Sequence, residues 1–183
     1  MSKVYQLTHE MGLNIETVDM LTGPMIGRPK TGTFRLGDLV GMDTAVHVLN
    51  GLRQNCPDDE QIGTFTIPAY LQFLIDNKFL GNKTGQGFYK KTGEKDEKGR
   101  PVILSLDLNT LEYRAPQKEK MPILDTLKQI EELPRRIKAV FKGEDKGALF
   151  LQRAHLGLFA YVSNRVPEIS DNLFSIDHAM CAG

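Results

Sequence analysis

The sequence predicts a mainly α-helical protein with one small β-hairpin, and three observations lead to this prediction. Apolar residues recur at three- and four-residue intervals over most of the chain, which is the spacing of one helix face. Glycine and proline interrupt these stretches repeatedly, as they do between the helices of a compact domain. Residues 88–114 instead contain short apolar runs around a charged, glycine-containing turn, which is typical of paired strands.

Composition limits the class of protein. The 183 residues are enough for one large domain or two small ones with a substantial core. Basic and acidic residues number 23 each, so the formal net charge is zero and a nucleic-acid-binding protein is disfavoured. No apolar run approaches the roughly 18 residues of a membrane span, and the first residues lack an apolar signal-peptide core. Cys56 and Cys181 lie far apart, which predicts free thiols in a reducing cytoplasm.

The first third of the chain predicts consecutive short helices. Asn14 is expected to cap the second of them, because its side chain can accept a backbone N–H of the first turn. Glycines are expected to end the helices, because glycine tolerates positive φ. The predicted helices are 3–11, ending at Gly12; 14–22, ending at Gly23; 33–40, ending at Gly41; and 43–54.

Residues 22–43 begin as a turn-rich loop and continue as the third of these helices. Thr31 or Thr33 is expected to cap the helix. The loop and helix carry basic side chains, which allows two interpretations. The helix start either binds an anionic ligand through its free N–H groups, or it is a packing corner with solvated basic residues. The basic residues are Arg28, Lys30 and Arg35, and the apolar positions expected on one face are Phe34, Leu36, Leu39, Val40 and Met42.

The middle of the chain predicts a buried helix and then the hairpin. Pro68 opens a helix that is apolar nearly all round. A loop with three glycines, 81–87, separates this helix from the hairpin, which is followed by a third extended piece over 111–114. The polar, proline-containing segment 114–122 is the expected internal boundary.

The last third predicts further helices. One begins near Ile123, the next begins at Pro134 and ends at Gly143, and the longest covers 145–165. The longest helix carries too much apolar surface for one solvated face, so it is either a central core helix or a subunit contact. A final helix covers 171–180.

Two motifs in this order resemble a known family. Residues 27–43 read Gly-Arg-Pro-Lys-Thr-Gly-Thr-Phe-Arg-Leu-Gly-Asp-Leu-Val-Gly-Met-Asp, and residues 81–89 read Gly-Asn-Lys-Thr-Gly-Gln-Gly-Phe-Tyr. Both resemble signatures of the C-terminal helical domain of 3-hydroxyacyl-CoA dehydrogenases, in particular of bacterial fatty-acid oxidation proteins fused to an enoyl-CoA hydratase. The resemblance implies a helical fold like the 6-phosphogluconate dehydrogenase C-terminal domain.

The resemblance also implies two copies of the helical domain, the second degenerate. Residues 173–183 end in Ile-Asp-His-Ala-Met-Cys-Ala-Gly, which resembles the Ile-Asp-x-Ala-Met-x-x-Gly helix that opens a copy. A faint internal echo pairs Val18-Asp19 with Ile176-Asp177. We therefore expect residues 1–115 to be most of the first copy, and residues 116–183 to be a linker and the opening helices of the second.

The function implied by the resemblance is oxidation of L-3-hydroxyacyl-CoA to 3-ketoacyl-CoA with NAD in fatty-acid β-oxidation. In the family, a Rossmann domain binds NAD through a Gly-x-Gly-x-x-Gly turn and carries a His–Glu pair, and an Asn in a Gly-Phe-Ile-x-Asn-Arg run holds the substrate. None of these is matched here, and Asn164-Arg165 lacks the preceding Gly-Phe-Ile. No catalytic, cofactor-binding or metal-binding residue is therefore predicted, and the four histidines lack a ligand spacing.

We expect this chain to be the substrate-binding and dimerisation region of such a dehydrogenase, inactive without the NAD-binding domain. The expected partners are an acyl-CoA and a second copy of the chain. Met25, Ile26 and Arg28 are the residues predicted to line the acyl pocket, with loop-to-core packing as the alternative for each. A second hypothesis is a non-catalytic helical interaction module, which a stop codon directly upstream of residue 1 would support.

Overall fold

A computed structural model describes residues 1–117 and 119–182. The described part of the chain is mostly helical, which confirms the predicted class. Three single-turn 3-10 helices, Pro24–Ile26, Ile62–Phe65 and Asn82–Thr84, join longer elements. The α-helices are α1 Ser2–Glu10, α2 Ile15–Leu21, α3 Phe34–Val40, α4 Met42–Asn55, α5 Ala69–Asp76, α6 Pro122–Lys128, α7 Leu133–Val140, α8 Lys146–Asn164 and α9 Leu173–Ala182.

The predicted hairpin and its third strand are also present. Strands β1 (Tyr89–Lys95), β2 (Pro101–Leu106) and β3 (Tyr113–Arg114) form one antiparallel sheet in the order β1-β2-β3. Tyr89 pairs with Ser105, and Ser105 pairs with Arg114. The sheet therefore holds the end of the second motif against the helices.

Several helix boundaries follow from local side-chain chemistry, and those at Asn14 and Pro134 confirm predictions. The Asn14 side chain accepts the Thr17 N–H at 2.8 Å and caps α2. Asp145 caps α8 by accepting the N–H groups of Gly147 and Ala148. Pro134 lies in the first turn of α7, where its missing N–H costs nothing. Pro68 differs slightly from the prediction, because it is the N-cap of α5 and lies just outside the helix.

The hydrophobic core is continuous from the first helices to α8. Tyr5, Phe34, Tyr70 and Phe88 form an aromatic cluster at its centre, with the Phe34 and Phe88 rings 4.8 Å apart and edge to face. Helices α6 to α8 extend this core with fully or nearly fully buried side chains. These side chains are Ile123, Leu124, Leu127, Val140, Ala148, Phe150 and Leu151.

The predicted apolar face of α3 differs from what is observed, and the apolar surface of α8 is divided between core and solvent. In α3, Leu39 and Val40 are 62% and 47% exposed, because Gly37 and Asp38 occupy the buried side of this short helix together with Phe34. In α8, the first half lies in the core, whereas the second half exposes Leu156 and Phe159.

The exposed apolar surface continues onto α9. Leu173, Phe174 and Met180 of that helix are at least half exposed. Gly183, the last residue of the run that resembles the opening of a second copy, lies outside the described residues. No helix within 1–117 and 119–182 combines the length and apolar character that crossing a membrane requires.

Candidate functional site

Asp19 of α2 holds the beginning of the first motif helix. The N-terminal N–H groups of a helix have no partner within the helix, so they need an acceptor from elsewhere. Asp19 Oδ1 accepts the N–H groups of Thr33 and Phe34 at 2.8 and 2.6 Å, and Oδ2 accepts the N–H of Arg35 at 3.1 Å. One buried carboxylate therefore satisfies the first turn of α3.

This arrangement corrects the predicted capping of α3. Thr33 does occupy the N-cap position, but its side chain makes no capping hydrogen bond. The Thr33 hydroxyl instead donates to Thr22 Oγ1 at 2.9 Å. Because Asp19 fills the place where an anionic ligand would bind, the packing-corner interpretation fits this helix end.

Asp38 of α3 holds the second motif in the same way. Its Oδ1 accepts the Phe88 N–H at 2.7 Å and its Oδ2 accepts the Tyr89 N–H at 2.9 Å. Glycines make this close approach possible. A Cβ on Gly81 would lie 2.3 Å from the Asp38 carbonyl oxygen, and one on Gly87 would lie 2.2 Å from Asp38 Oδ1. Packing against Asp38 therefore requires glycine at positions 81 and 87.

Tyr89 joins the two carboxylate contacts into one network. Its hydroxyl donates to Asp19 Oδ2 at 2.7 Å, while its backbone N–H donates to Asp38. The Arg35 guanidinium lies 4.4 Å from the centre of the Tyr89 ring, a cation–π distance. The first motif is thus fixed to α2 through Asp19, and the second is fixed to α3 through Asp38 and to α2 through the Tyr89 hydroxyl.

Burial sets the electrostatics of this network. It raises the pKa of Asp38 to about 6, although hydrogen bonds from the Tyr89 and Phe88 N–H groups favour the ionised form. Burial also raises the pKa of Asp19, and burial and the nearby Asp19 charge raise the pKa of Tyr89. The Tyr89 hydroxyl therefore stays protonated and remains a donor. Both oxygens of Asp38 accept backbone N–H groups, which indicates a holding role for this carboxylate.

A small cleft with both apolar and polar lining opens where the two motifs meet. Its cavity has a volume of about 230 Å³. Arg35 and Lys91 bring two exposed cationic side chains to it, and Asn82 adds an amide. This combination suits a polar or anionic part of a ligand. Met25, Ile26 and Arg28 do not line this cleft.

Of the predicted pocket residues, Met25 and Ile26 lie on the 3-10 helix Pro24–Ile26, and Arg28 follows it in the loop before α3. Ile26 is 7% exposed and belongs to the core, Met25 is half-buried, and Arg28 is exposed. Arg136 of α7 donates to the carbonyl oxygens of Pro24 and Met25, so a helix from the last third of the chain covers this turn.

Sequence reasoning missed the roles of Asp19 and Asp38, although both stand in segments it had selected. Asp19 occupies the same face of α2 as Ile15 and Val18, which are fully buried. Asp19 lies four residues after Ile15 and one after Val18, and this position predicts a buried carboxylate. A buried carboxylate requires hydrogen-bond partners, so the sequence could have indicated that Asp19 holds another segment. No comparable local signal points to Arg136.

The described residues do not fit a bound dinucleotide. Their one sheet is antiparallel, whereas the dinucleotide fold needs a parallel sheet whose first strand turns into a helix through a glycine fingerprint. Within the described part of the chain, no three His, Cys, Asp or Glu residues are grouped to hold a metal ion. Cys56 and Cys181 are exposed free thiols.

Comparison with known proteins places these motifs in a family context. Residues 1–91 match the model of the family described as 3-hydroxyacyl-CoA dehydrogenase, C-terminal domain. The chain is 36% identical over 169 residues to a probable 3-hydroxyacyl-CoA dehydrogenase of Bacillus subtilis, covering 92% of this chain and 20% of that protein. It is 42% identical over 99 residues to a probable 3-hydroxyacyl-CoA dehydrogenase of Deinococcus radiodurans, covering 54% and 27%.

A relative with lower sequence identity is named for a fatty acid oxidation complex. The chain is 26% identical over 172 residues to a putative fatty acid oxidation complex trifunctional enzyme of Rickettsia felis, covering 93% of this chain and 22% of that protein. The chain thus spans about a fifth of the length of the B. subtilis and R. felis relatives. The comparison with solved structures found no match.

Proposed function

This chain belongs, through residues 1–91, to the family of 3-hydroxyacyl-CoA dehydrogenase C-terminal domains, and on that premise we propose that it is the helical substrate-binding part of such a dehydrogenase. The parent reaction would be oxidation of an L-3-hydroxyacyl-CoA to the 3-ketoacyl-CoA with NAD in fatty-acid oxidation. Relatives named for this dehydrogenase and for a fatty acid oxidation complex support the proposal. We place the protein in the cytoplasm.

The observation that carries the proposal is the hydrogen-bonded attachment of the first motif to Asp19 and of the second motif to Asp19 and Asp38. Asp19 and Asp38 each fix a separate chain segment through charge-assisted hydrogen bonds, which are stronger than neutral ones. A wall held in this way keeps its shape while a flexible thioester chain binds beside it. We propose that Met25 and Arg28 contact the substrate directly. Ile26 is buried, so it would support the wall through packing in the core and would not contact the substrate.

Hydride transfer would use groups outside the described residues. NAD supplies the acceptor for the hydride when it is bound by the dinucleotide-binding domain of the parent enzyme. The residues described here would bind and orient the acyl-CoA and exclude water from it. We therefore expect the isolated chain to have no dehydrogenase activity.

The test combines binding with turnover. Calorimetric titration of the chain with acetoacetyl-CoA should show saturable binding, weakened by Met25→Glu because a carboxylate would meet the apolar acyl chain. Val48→Glu, at an exposed valine of α4, is the control and should bind normally. Oxidation of NADH by the isolated chain with acetoacetyl-CoA would refute the assigned inactivity, and absence of binding would refute the substrate role.

We further propose that residues 116–183 open a second helical copy, as expected from the resemblance. The segment Asn-Ile-Glu-Thr-Val-Asp, 14–19, and the segment Asn-Leu-Phe-Ser-Ile-Asp, 172–177, share a pattern of residue types. Their first residues act alike, since Asn14 accepts the Thr17 N–H at 2.8 Å and Asn172 accepts the Ser175 N–H at 3.0 Å. This common cap supports the correspondence of α9 with α2.

We propose that a second copy of this chain packs against the exposed apolar surface of α8 and α9 and forms a homodimer. A second candidate function, a non-catalytic interaction module, draws on the same surface. The acetoacetyl-CoA titration separates the two, because an interaction module has no reason to bind a thioester.

A further inference from the structure

One guanidinium group ties the 3-10 turn of the first motif to a distant helix. Nη1 of Arg136 donates to the carbonyl oxygens of Pro24 at 3.1 Å and Met25 at 3.3 Å, and Nη2 donates to the Glu131 carbonyl oxygen at 2.8 Å. Pro24 and Arg136 are 112 residues apart in sequence. A planar fork of donors suits this task, because it holds several acceptors in fixed directions.

Side-chain packing reinforces these hydrogen bonds. Leu133, in the first turn of α7, covers Gly27, whose backbone has a φ of +79°. A Cβ at Gly27 would lie 2.7 Å from Leu133 Cδ2, so the leucine fills the space that a side chain there would need. Ile137, one turn further along α7, packs against the core. Helix α7 therefore lies directly on the turn.

The turn has little internal support of its own. Its backbone hydrogen bonds are single-turn contacts of 3.1 to 3.2 Å, from Ile26 N and Arg28 N to Gly23 O and from Gly27 N to Pro24 O. Glycines flank it on both sides, and glycine loses more conformational freedom on ordering than other residues. A single-turn 3-10 helix of this kind depends on outside contacts for a fixed shape.

The supporting helix lies outside the matched family domain. That match ends at residue 91, whereas α7 spans Leu133–Val140. The similarity to the B. subtilis dehydrogenase covers 169 of 183 residues, so at most 14 residues can lie outside it (183 minus 169), and α7 is further than that from either end. The relative with the longer match therefore includes the region that holds the turn.

We propose that Arg136 is a positioning residue for the acyl-binding turn 24–28, supplied by a helix beyond the family domain. The inference rests on the proposed substrate role of that turn. Arg136 fixes the Pro24 and Met25 carbonyls, and through them the direction in which Met25 and Arg28 leave the backbone. Without this contact, the turn samples other conformations and the substrate must order it on binding, which lowers affinity.

The test uses the full chain and a matched pair of neighbouring arginines. Arg136→Ala removes the contact, and Arg136→Lys keeps the charge but not the fork. Arg135→Ala changes an exposed arginine of the same helix that pairs with the N-cap residue Glu132. Hydrogen exchange of the Ile26, Gly27 and Arg28 amides reports the order of the turn. Titration with acetoacetyl-CoA measures whether the order of the turn affects the affinity for this ligand.

We expect Arg136→Ala to speed exchange at these three amides about tenfold, the equivalent of one lost charge-assisted hydrogen bond. Amides of the β1–β2 hairpin should exchange as before. Affinity for acetoacetyl-CoA should fall about tenfold as well, with Arg136→Lys intermediate and Arg135→Ala unchanged.

Two results would overturn the proposal. One is unchanged exchange at the turn in Arg136→Ala. The other is exchange that rises equally in the turn and the hairpin, because that would show general destabilisation. If the unaltered chain binds no acetoacetyl-CoA, the proposed substrate role fails on its own, and the exchange pattern still decides whether Arg136 positions the turn.

Discussion

The carboxylate of Asp19 and the hydroxyl of Tyr89, 70 residues apart in sequence, form a buried hydrogen bond of 2.7 Å. The same carboxylate accepts three N–H groups from the start of α3, so it contacts both motifs at once. This contact links the two sequence signatures in the folded chain. Each motif supplies hydrogen-bond donors to one buried carboxylate, as a buried polar group requires.

The first prediction concerns the Asp19 carboxylate. Asp19→Ala should lower the free energy of unfolding by about 3 kcal/mol, because it leaves buried helix N–H groups and the Tyr89 hydroxyl without acceptors. Urea unfolding followed by circular dichroism measures the change. Asp177→Ala, at the exposed aspartate of α9 that corresponds to Asp19, should change it by less than about 0.5 kcal/mol. An equal decrease in the free energy of unfolding in the two variants would show that the hydrogen bonds of Asp19 do not stabilise the fold.

The second prediction concerns pH. Burial raises the pKa of Asp38 to about 6 in the folded protein, above the value of about 4 for an unfolded aspartate. The folded state therefore binds a proton more readily, so the contribution to stability is complete below pH 4 and is lost as the pH rises through 6. Between pH 7 and pH 5 the free energy of unfolding should rise by about 1 kcal/mol from this group alone.

Asp38→Asn isolates that contribution, because the amide does not titrate. The difference in the free energy of unfolding between the unaltered chain and Asp38→Asn should depend on pH only between about pH 4 and pH 7. Burial also raises the pKa of Asp19, so Asp19 contributes to the pH dependence of stability with the same sign. Because Asp19 is present in both proteins, its contribution cancels in the difference. The carboxyl groups with lowered pKa values, such as Asp107, titrate below this range. A pH-independent difference would mean that Asp38 has an ordinary pKa.

The third prediction compares two glycines of the second motif, both at positive φ. Gly81→Ala should cost at least about 3 kcal/mol, because the new Cβ would lie 2.3 Å from the Asp38 carbonyl oxygen and the backbone would have to move. Gly85→Ala should cost only about 1 kcal/mol of backbone strain, since nothing lies within 4 Å of its Cβ position. Thermal unfolding of the two variants measures the difference, and similar losses would place the loop further from α3 than observed.

The fourth prediction concerns self-association through the second half of α8 and α9. Phe159 is 52% exposed and lines a cavity of about 400 Å³ together with Leu173 and Met180. Phe159→Ser should weaken dimer formation at least about tenfold, because it removes an apolar side chain from the proposed contact. Sedimentation equilibrium measures the dissociation constant. Val48→Ser, at an exposed valine of α4, is the control and should associate normally. A chain that stays monomeric at all concentrations would exclude the dimer.

Much of the local structure could be predicted from the sequence because its causes are local. Asn14 caps α2 through an N–H three residues away, and Pro134 begins α7 because it lacks the N–H that a helix interior requires. The two strands of the hairpin pair across a charged turn that contains Gly99 at a positive φ. The two motifs indicated the family because they preserve a specific order of glycines, charges and aromatic residues.

The candidate site was less predictable because its contacts are long-range. Thr33 is the reasonable local cap for α3, yet Asp19, which the fold brings in from α2, accepts the N–H groups instead. The sequence could not distinguish Ile26, which is buried, from Arg28, which is exposed, since three-residue turns have no periodic face. Arg136 was not found at all, because nothing within its own helix requires a partner at Pro24.

The sequence by itself determined the helical class, the hairpin, most element boundaries and the family of the first 91 residues, since these depend on side chains and their near neighbours. Only the tertiary structure decided which carboxylates hold the motifs and which helix covers the turn 24–28. The physical reason is that a buried hydrogen-bonding group must find a partner, while the three-dimensional packing of the chain alone sets which distant group is within reach.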